Sequence, residues 1–125
     1  MESQDSIEKR KHKRFRVKER AFVEFSVNPI KVGEMIDISV GGLSFRYLGN
    51  GECSEKTFDI KIYFPEGGFI SEEINFRTAS DFEIRPEFFP AITKIRRRGG
   101  CFENLNQSQK SQIEQFIQNH TIGEA

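Results

Sequence analysis

Residues 57–64, TFDIKIYF, alternate without a fault: Phe58, Ile60, Ile62 and Phe64 fall on one side, Asp59 and Lys61 on the other. A period of two over this length marks a half-buried β-strand. Pro65-Glu66-Gly67-Gly68 then reads as a turn, and FISEEINFRT (69–78) resumes the alternation at Ile70, Ile74 and Phe76. Toward the N-terminus, AFVEFSV (21–27) places Ala21, Val23, Phe25 and Val27 on one face before Asn28-Pro29 ends the run. Lys31 to Ser39 reads as a strand with Ile36, Ile38 and Val40 on one face and Met35, Asp37 and Ser39 on the other. Gly41-Gly42 breaks it. Leu43, Phe45 and Tyr47 next alternate with Ser44, Arg46 and Leu48, up to a Gly49-Asn50-Gly51 turn.

Toward the C-terminus, ASDFEIRPEFFP (79–90) carries two prolines and reads as a strand extension followed by a loop. Ala91 to Arg97 and Gly100 to Glu103 form a last strand pair or one bent strand. The period then changes. In NQSQKSQIEQFIQNH (106–120), Ile113, Phe116 and Ile117 are three and four apart, the spacing of an amphipathic helix. Asn106 is placed to cap it, with Gln109 three residues on. No helical crossovers separate the strands, so a parallel sheet is disfavoured. The pattern predicts a mainly β protein, a small antiparallel barrel with a C-terminal helix packed against it.

A chain of 125 residues supports one modest core. With 13 Phe against no Trp and two Tyr, Phe must supply its bulk. No run approaches the ~18–20 apolar residues of a membrane span. MESQDSIEKRKHKR has charges where a signal peptide needs an apolar stretch, so a cytoplasmic protein is expected. Cys53 and Cys101 lack a CxxC spacing and read as reduced thiols. His12 and His120 have no neighbours at metal-ligand spacing, so no metal site is expected. No GxSxG, HExxH or P-loop occurs, and the chain is not expected to be an enzyme.

The 19 basic and 19 acidic residues cancel, but unevenly. Residues 1–8 are net −3, residues 9–20 (KRKHKRFRVKER) net +7, and residues 21–125 net −4. A block of +7 within twelve residues attracts anions.

Two short constellations stand in order along the chain. Arg10-Lys11-His12-Lys13-Arg14 is an RxxxR before the first strand, and Asp37-Ile38-Ser39-Val40-Gly41-Gly42 is a DxSxxG at the end of the second. Each alone is common. Together, with GCFENLNQSQKSQIEQFI at the C-terminal end, they resemble the PilZ domain family over residues 8–118. The resemblance implies a six-stranded antiparallel barrel that binds cyclic di-GMP. It implies one PilZ-like domain over residues 9–119, taking in a flexible basic arm and the helix, between a disordered 1–8 and a tail at 120–125. It carries Arg10 and Arg14 over as the arginine pair, and Asp37, Ser39 and Gly42 as the second motif. Lys9, Gly41, Arg16, Arg46 and Arg98 are candidates for secondary contacts, and Lys9 occupies the position that influences ligand stoichiometry.

The residue types suit that ligand. Arginine presents a planar fork to phosphate oxygens and to the O6/N7 edge of guanine, and stacks on purine faces. Asp37 can accept from guanine N1 and N2, and Ser39 can bond the ligand or orient Asp37. Glycines at 41 and 42 let a backbone approach a flat base. A site for phosphate alone would gain nothing from a carboxylate. No nucleic-acid polymer is expected as partner, since most Phe positions fall on the inward alternation. The expected function is a cyclic di-GMP receptor and adaptor without other cofactors, signalling through ordering of its arm to an unidentified effector protein. The alternative is a PilZ-fold adaptor for pilus or motility machinery with weak or no nucleotide binding.

Overall fold

The computed structural model describes residues 12–26, 30–49, 55–84 and 94–124. These contain β1 (Phe15–Val17), β2 (Phe22–Phe25), β3 (Lys31–Ile38), β4 (Gly42–Leu48), β5 (Thr57–Phe64), β6 (Phe69–Ile70), β7 (Ile74–Ile84), β8 (Ile95–Glu103), α1 (Gln107–His120) and β9 (Thr121–Glu124). Strands β2, β5, β7, β8, β4 and β3 pair in that order, and β3 pairs back onto β2. All the pairings are antiparallel. Six strands therefore close into a barrel, and closure leaves them no free edge. Among the described residues, no helix is long and apolar enough to cross a membrane.

The core follows the alternation. Val23 and Phe25, then Leu43, Phe45 and Tyr47, then Phe58, Ile60, Ile62 and Phe64, are all buried. Phenylalanines fill the centre: the Phe25 ring lies 4.9 Å from Phe45, and Phe76 lies 5.7 Å from Phe58. Helix α1 adds buried Ile113 and Phe116, the latter edge-on to Phe64 at 5.7 Å. Its start is held by a capping box: Asn106 Oδ1 accepts from Gln109 N–H, and Gln109 Oε1 accepts from Asn106 N–H. That reciprocal pair satisfies two otherwise orphaned donors.

Two glycines are required by close strand contact. A Cβ on Gly42 would overlap the Gly100 carbonyl oxygen, and one on Gly100 would overlap the Arg77 carbonyl oxygen. Strands β4, β8 and β7 can approach this closely here only because both side chains are missing.

Four expectations change. Ile36, Ile38 and Val40 do not share an inward face. Met35 and Ile38 are both in the core, while Val40 is 39% exposed. The cause is a bulge: β3 slips register against β4 between Met35 and Asp37, so the phase inverts there. Ile70 is 60% exposed rather than inward. Residues 121–124, set apart as tail, form β9 and pair with β1. Part of the basic arm is also in the sheet, because β1 lies between β3 and β9. The last barrel strand is one continuous β8.

Among the described residues, a charged cluster reaches into the interior around Arg98. Arg98 is 2% exposed and sits with its guanidinium over the Tyr47 and Phe58 rings, at 5.6 and 5.2 Å. It donates to Asp81 Oδ2 at 2.8 and 2.6 Å. Tyr47 donates its hydroxyl to the same oxygen at 2.6 Å, and Arg96 Nε donates to Asp81 Oδ1 at 2.8 Å. Burial pushes the Asp81 carboxyl up, but hydrogen bonds from Tyr47, Arg96 and Arg98, with the Arg98 charge, hold it below the usual carboxylate range. Burial, then the hydrogen bond to Asp81, pushes the Tyr47 phenol up to about 12.

Candidate functional site

The outer wall of the barrel can be read as three rows running across the strands. The first is Arg16–Asp37–Ser44–Gly99–Ser80, the second Phe22–Glu34–Arg46–Arg97–Phe82, and the third includes Leu48–Ile95–Ile84. Neighbouring rows on one face lie ~7 Å apart, two residues of rise.

Asp37 reaches the first row through the β3 bulge. Counting by twos from buried Gly33 and Met35 would turn it inward; the inserted residue turns it outward. Its side chain is nonetheless 6% exposed, because arginines cover it. Arg14 Nη1 lies 3.5 Å from Oδ1, and Arg97 Nη2 lies 3.4 Å from Oδ2. The Ser44 hydroxyl donates to Oδ1 at 2.9 Å, and Arg97 also reaches the Ser44 hydroxyl at 3.4 Å. The carboxylate thus stands between two cations, held by one short hydrogen bond and two long ion pairs. Long contacts of this kind are weak and readily exchanged.

Ser39 does not orient Asp37; Ser44 does. The Ser39 hydroxyl accepts from Gly41 N–H and Gly42 N–H, both at 3.1 Å, and donates to the Gly42 carbonyl at 3.3 Å. It closes the turn that leads β3 into β4. Gly41 meets the arm directly, since a Cβ there would lie 2.5 Å from the His12 ring. The DxSxxG motif therefore builds a turn on which the arm rests.

Among the secondary candidates, Arg16 is exposed and lies opposite Asp37 in the β1–β3 register. Arg46 is exposed and pairs with Glu34 at 3.3 Å. Arg98 is a correction: it occupies the inward phase of β8, bonded to Asp81, and does not reach the outer wall. Arg10 and Lys9 lie outside the described residues.

Three residues at this place escaped the sequence reading: Arg97, Ser44 and Phe82. Arg97 was legible by parity, because counting back from inward Phe102 turns 100, 98 and 96 inward and leaves 97 outward. With Arg14, Ser44, Ser80 and the Gly99-Gly100 pair, Arg97 and Phe82 line an open depression of about 280 Å³. The Phe82 ring is 50% exposed. A second depression of about 520 Å³ lies beside it, lined by Arg16, Lys18, Arg20, Arg46 and Arg97 with Glu19 and Glu34 among the other walls. Arg97 is common to both. Together they offer an anion-attracting surface in which arginines and a lysine outnumber the carboxylates, with the exposed Phe82 ring beside them. Among the described residues, no His, Cys, Asp and Glu cluster could hold a metal ion.

Solved structures with this fold include the PilZ domain with c-di-GMP of YcgR from Escherichia coli, at a TM-score of 0.72 and 17% identity over 88% of this chain and 89% of that one. MrkH, described as a c-di-GMP-dependent transcription regulatory factor, matches at a TM-score of 0.68 and 14% identity over 88% of this chain. The Bacillus subtilis inhibitor of motility MotI/DgrA matches at a TM-score of 0.60 and 15% identity over 87% of this chain. The chain spans about half the length of these last two, 50% and 49%. A search of curated proteins found no match. The PilZ domain model matches residues 8–119. That match takes in the arginine motif, the turn motif, the closed barrel and the capped helix in their order, and the chain belongs to the PilZ domain family.

Proposed function

We propose that this chain is a cytoplasmic receptor for cyclic di-GMP, without catalytic chemistry, that reports the ligand to a protein partner. The observation that carries the reading is Asp37, held outward between Arg14 and Arg97 beside a basic arm. Cyclic di-GMP has two phosphates and two guanines. The arginines meet phosphate oxygens or guanine O6/N7, and Asp37 accepts from guanine N1 and N2 once the ligand displaces the long Arg14 contact. Arg10 joins Arg14 on the ligand. Ser39, Gly41 and Gly42 hold the turn under it, and Lys9, Arg16 and Arg46 add positive potential. Phe82 offers a ring on which a base can stack. The c-di-GMP complex named for the YcgR domain supports this ligand.

Calorimetry with cyclic di-GMP, GTP and a short oligonucleotide on one preparation tests the reading. Cyclic di-GMP is expected to bind and the other two to bind far more weakly. No heat with cyclic di-GMP overturns the reading in favour of an adaptor without nucleotide, and preferential oligonucleotide binding overturns it in favour of nucleic acid.

Asp37→Ala should weaken binding of cyclic di-GMP more than that of cyclic di-AMP. Adenine lacks the N1 and N2 donors, so the preference for cyclic di-GMP over cyclic di-AMP should fall about tenfold, the worth of one hydrogen bond to a charged group. Titrating both ligands into wild type and variant measures this. Equal affinity of the wild type for the two would rule out the guanine-edge role.

Signalling is proposed to proceed by ordering of the arm. Pairing with β3 and β9 already holds residues 15–17 in the sheet, so the segment that closes on the ligand is 8–14. The +7 charge of residues 9–20 repels itself, and two phosphates relieve that repulsion. In hydrogen exchange, amides of residues 8–14 should gain protection with cyclic di-GMP, while Phe15–Val17 and Phe58–Phe64 are protected throughout. Protection of 8–14 without ligand, or none at saturation, would move the output to another surface.

A further inference from the structure

Beyond the ligand site, the outer wall carries an apolar slot of about 340 Å³, formed by Phe22, Val32, Leu48 and Ile95. Val32 is 59% exposed and Leu48 61%. Single exposed apolar residues are ordinary on protein surfaces. These four line one depression: Leu48 pairs with Ile95, and Val32 and Leu48 each lie two residues beyond the Glu34–Arg46 pair on β3 and β4. They form a depression rather than scattered points. The Leu48 side of the slot belongs to the third row, one row from Arg46 and Arg97.

The slot opens onto positive charge. Glu34 and Arg46 line both the slot and the basic depression beside it. Arg20 and Arg46 both donate to Glu34, at 3.1 and 3.3 Å, which neutralises the one carboxylate at the junction. The basic depression sets Arg16, Lys18, Arg20, Arg46 and Arg97 against Glu19 and Glu34. An occupant complementary to this surface is apolar where it meets Leu48 and acidic where it meets the arginines.

Strands β2, β3, β4 and β8 are each paired with at least two others, so none of them offers a whole edge to which a strand could add. Contact must be made by side chains, as when an amphipathic helix lays its anchors into a groove. The chain's own helix cannot fill the slot on a second copy, because Ile113 and Phe116 of α1 are buried in its own core.

We infer that this slot is a docking site for an acidic amphipathic helix of a partner protein, with its apolar residues against Val32 and Leu48 and its carboxylates against Arg20 and Arg46. The inference does not depend on the ligand reading. The test uses a displayed library of 16-residue helices, apolar residues fixed at i, i+4 and i+7, and the other positions drawn from Asp, Glu, Lys and Ala. Selection is on the full chain, with counter-selection on Leu48→Asp. Leu48 is exposed, so the variant should fold, and matched melting curves check that it does. Enriched helices should be rich in Asp and Glu over Lys. Their affinity should fall at least tenfold with Leu48→Asp, and severalfold with Arg20→Glu. Absence of enrichment, Lys-rich winners, or binding insensitive to Leu48→Asp would overturn the proposal. So would a wild-type dimer that Leu48→Asp dissolves, since the occupant would then be a second copy.

Discussion

Asp81→Ala is expected to destabilise the fold by about 3–5 kcal/mol, the range for removing one partner of a buried ion pair. Arg98 is 2% exposed and donates two of its hydrogen bonds to Asp81. Without the carboxylate, a buried guanidinium, the Arg96 Nε–H and the Tyr47 hydroxyl lose an acceptor together. At roughly 4 °C per kcal/mol for a domain of this size, the midpoint of thermal unfolding should fall by ~12–20 °C. Replacing both partners, Asp81→Leu with Arg98→Met, should recover much of that loss, because it removes the charges as well as their pairing. A midpoint for Asp81→Ala within ~2 °C of wild type would show that water reaches Arg98 and that the cluster carries no stability. The effect also depends on pH. The Asp81 carboxyl is held below its ordinary value in the fold. Its contribution is therefore complete above the unfolded carboxylate range, near ~3.9, and is lost as pH falls toward the folded value. Denaturation of wild type and variant, followed from neutral pH downward, should converge below about pH 4.

Arg14→Ala is expected to do the reverse: little to stability, much to binding. The Arg14 ion pair to Asp37 is 3.5 Å long and its side chain is 24% exposed. Such a contact contributes at most ~1 kcal/mol to folding. On a phosphate or guanine edge the same guanidinium makes charge-assisted hydrogen bonds of roughly 1.5–3 kcal/mol, or about tenfold to a hundredfold in affinity for cyclic di-GMP. Calorimetry and a melting curve on one preparation separate the two effects. Unchanged affinity would remove Arg14 from the site. Arg98→Ala provides the contrast, because it should act on stability through Asp81.

These two residues show where the sequence could be read and where it could not. Arg14 belongs to a spaced motif, and that motif together with DxSxxG marked it through the family resemblance. Arg98 follows two other arginines in RRR, and composition cannot say which of the three faces inward. Parity could: Phe102 is buried, so 98 shares its face and 97 does not. Ser44 was equally open to that count, as a residue out of phase with Phe45. Phe82 was not, because it shares the parity of inward Ile74 and Phe76 and is turned outward only by the register shift in β7 between Thr78 and Ser80. Ser39 was read as a ligand or orienting group because its distance from Asp37 is right along an ideal strand. The strand ends at Ile38, and its hydroxyl turns to the backbone of Gly41 and Gly42 instead.

The sequence by itself determined which segments extend and which coil. TFDIKIYF, AFVEF and LSFRYL alternate, and Asn106 with Gln109 caps the helix. Such patterns are local: each residue's preference is set by neighbours two to four positions away. Only the tertiary structure decided that β3 would pair with both β2 and β4 and so close the barrel, and that β1 would lie between β3 and β9. It alone decided the face that Asp37 presents. One extra residue between Met35 and Asp37 turns the carboxylate from the core to the wall, where Arg97, 60 positions away, covers it. A bulge exists only as a mismatch between two paired strands, so no property of β3 alone could specify it.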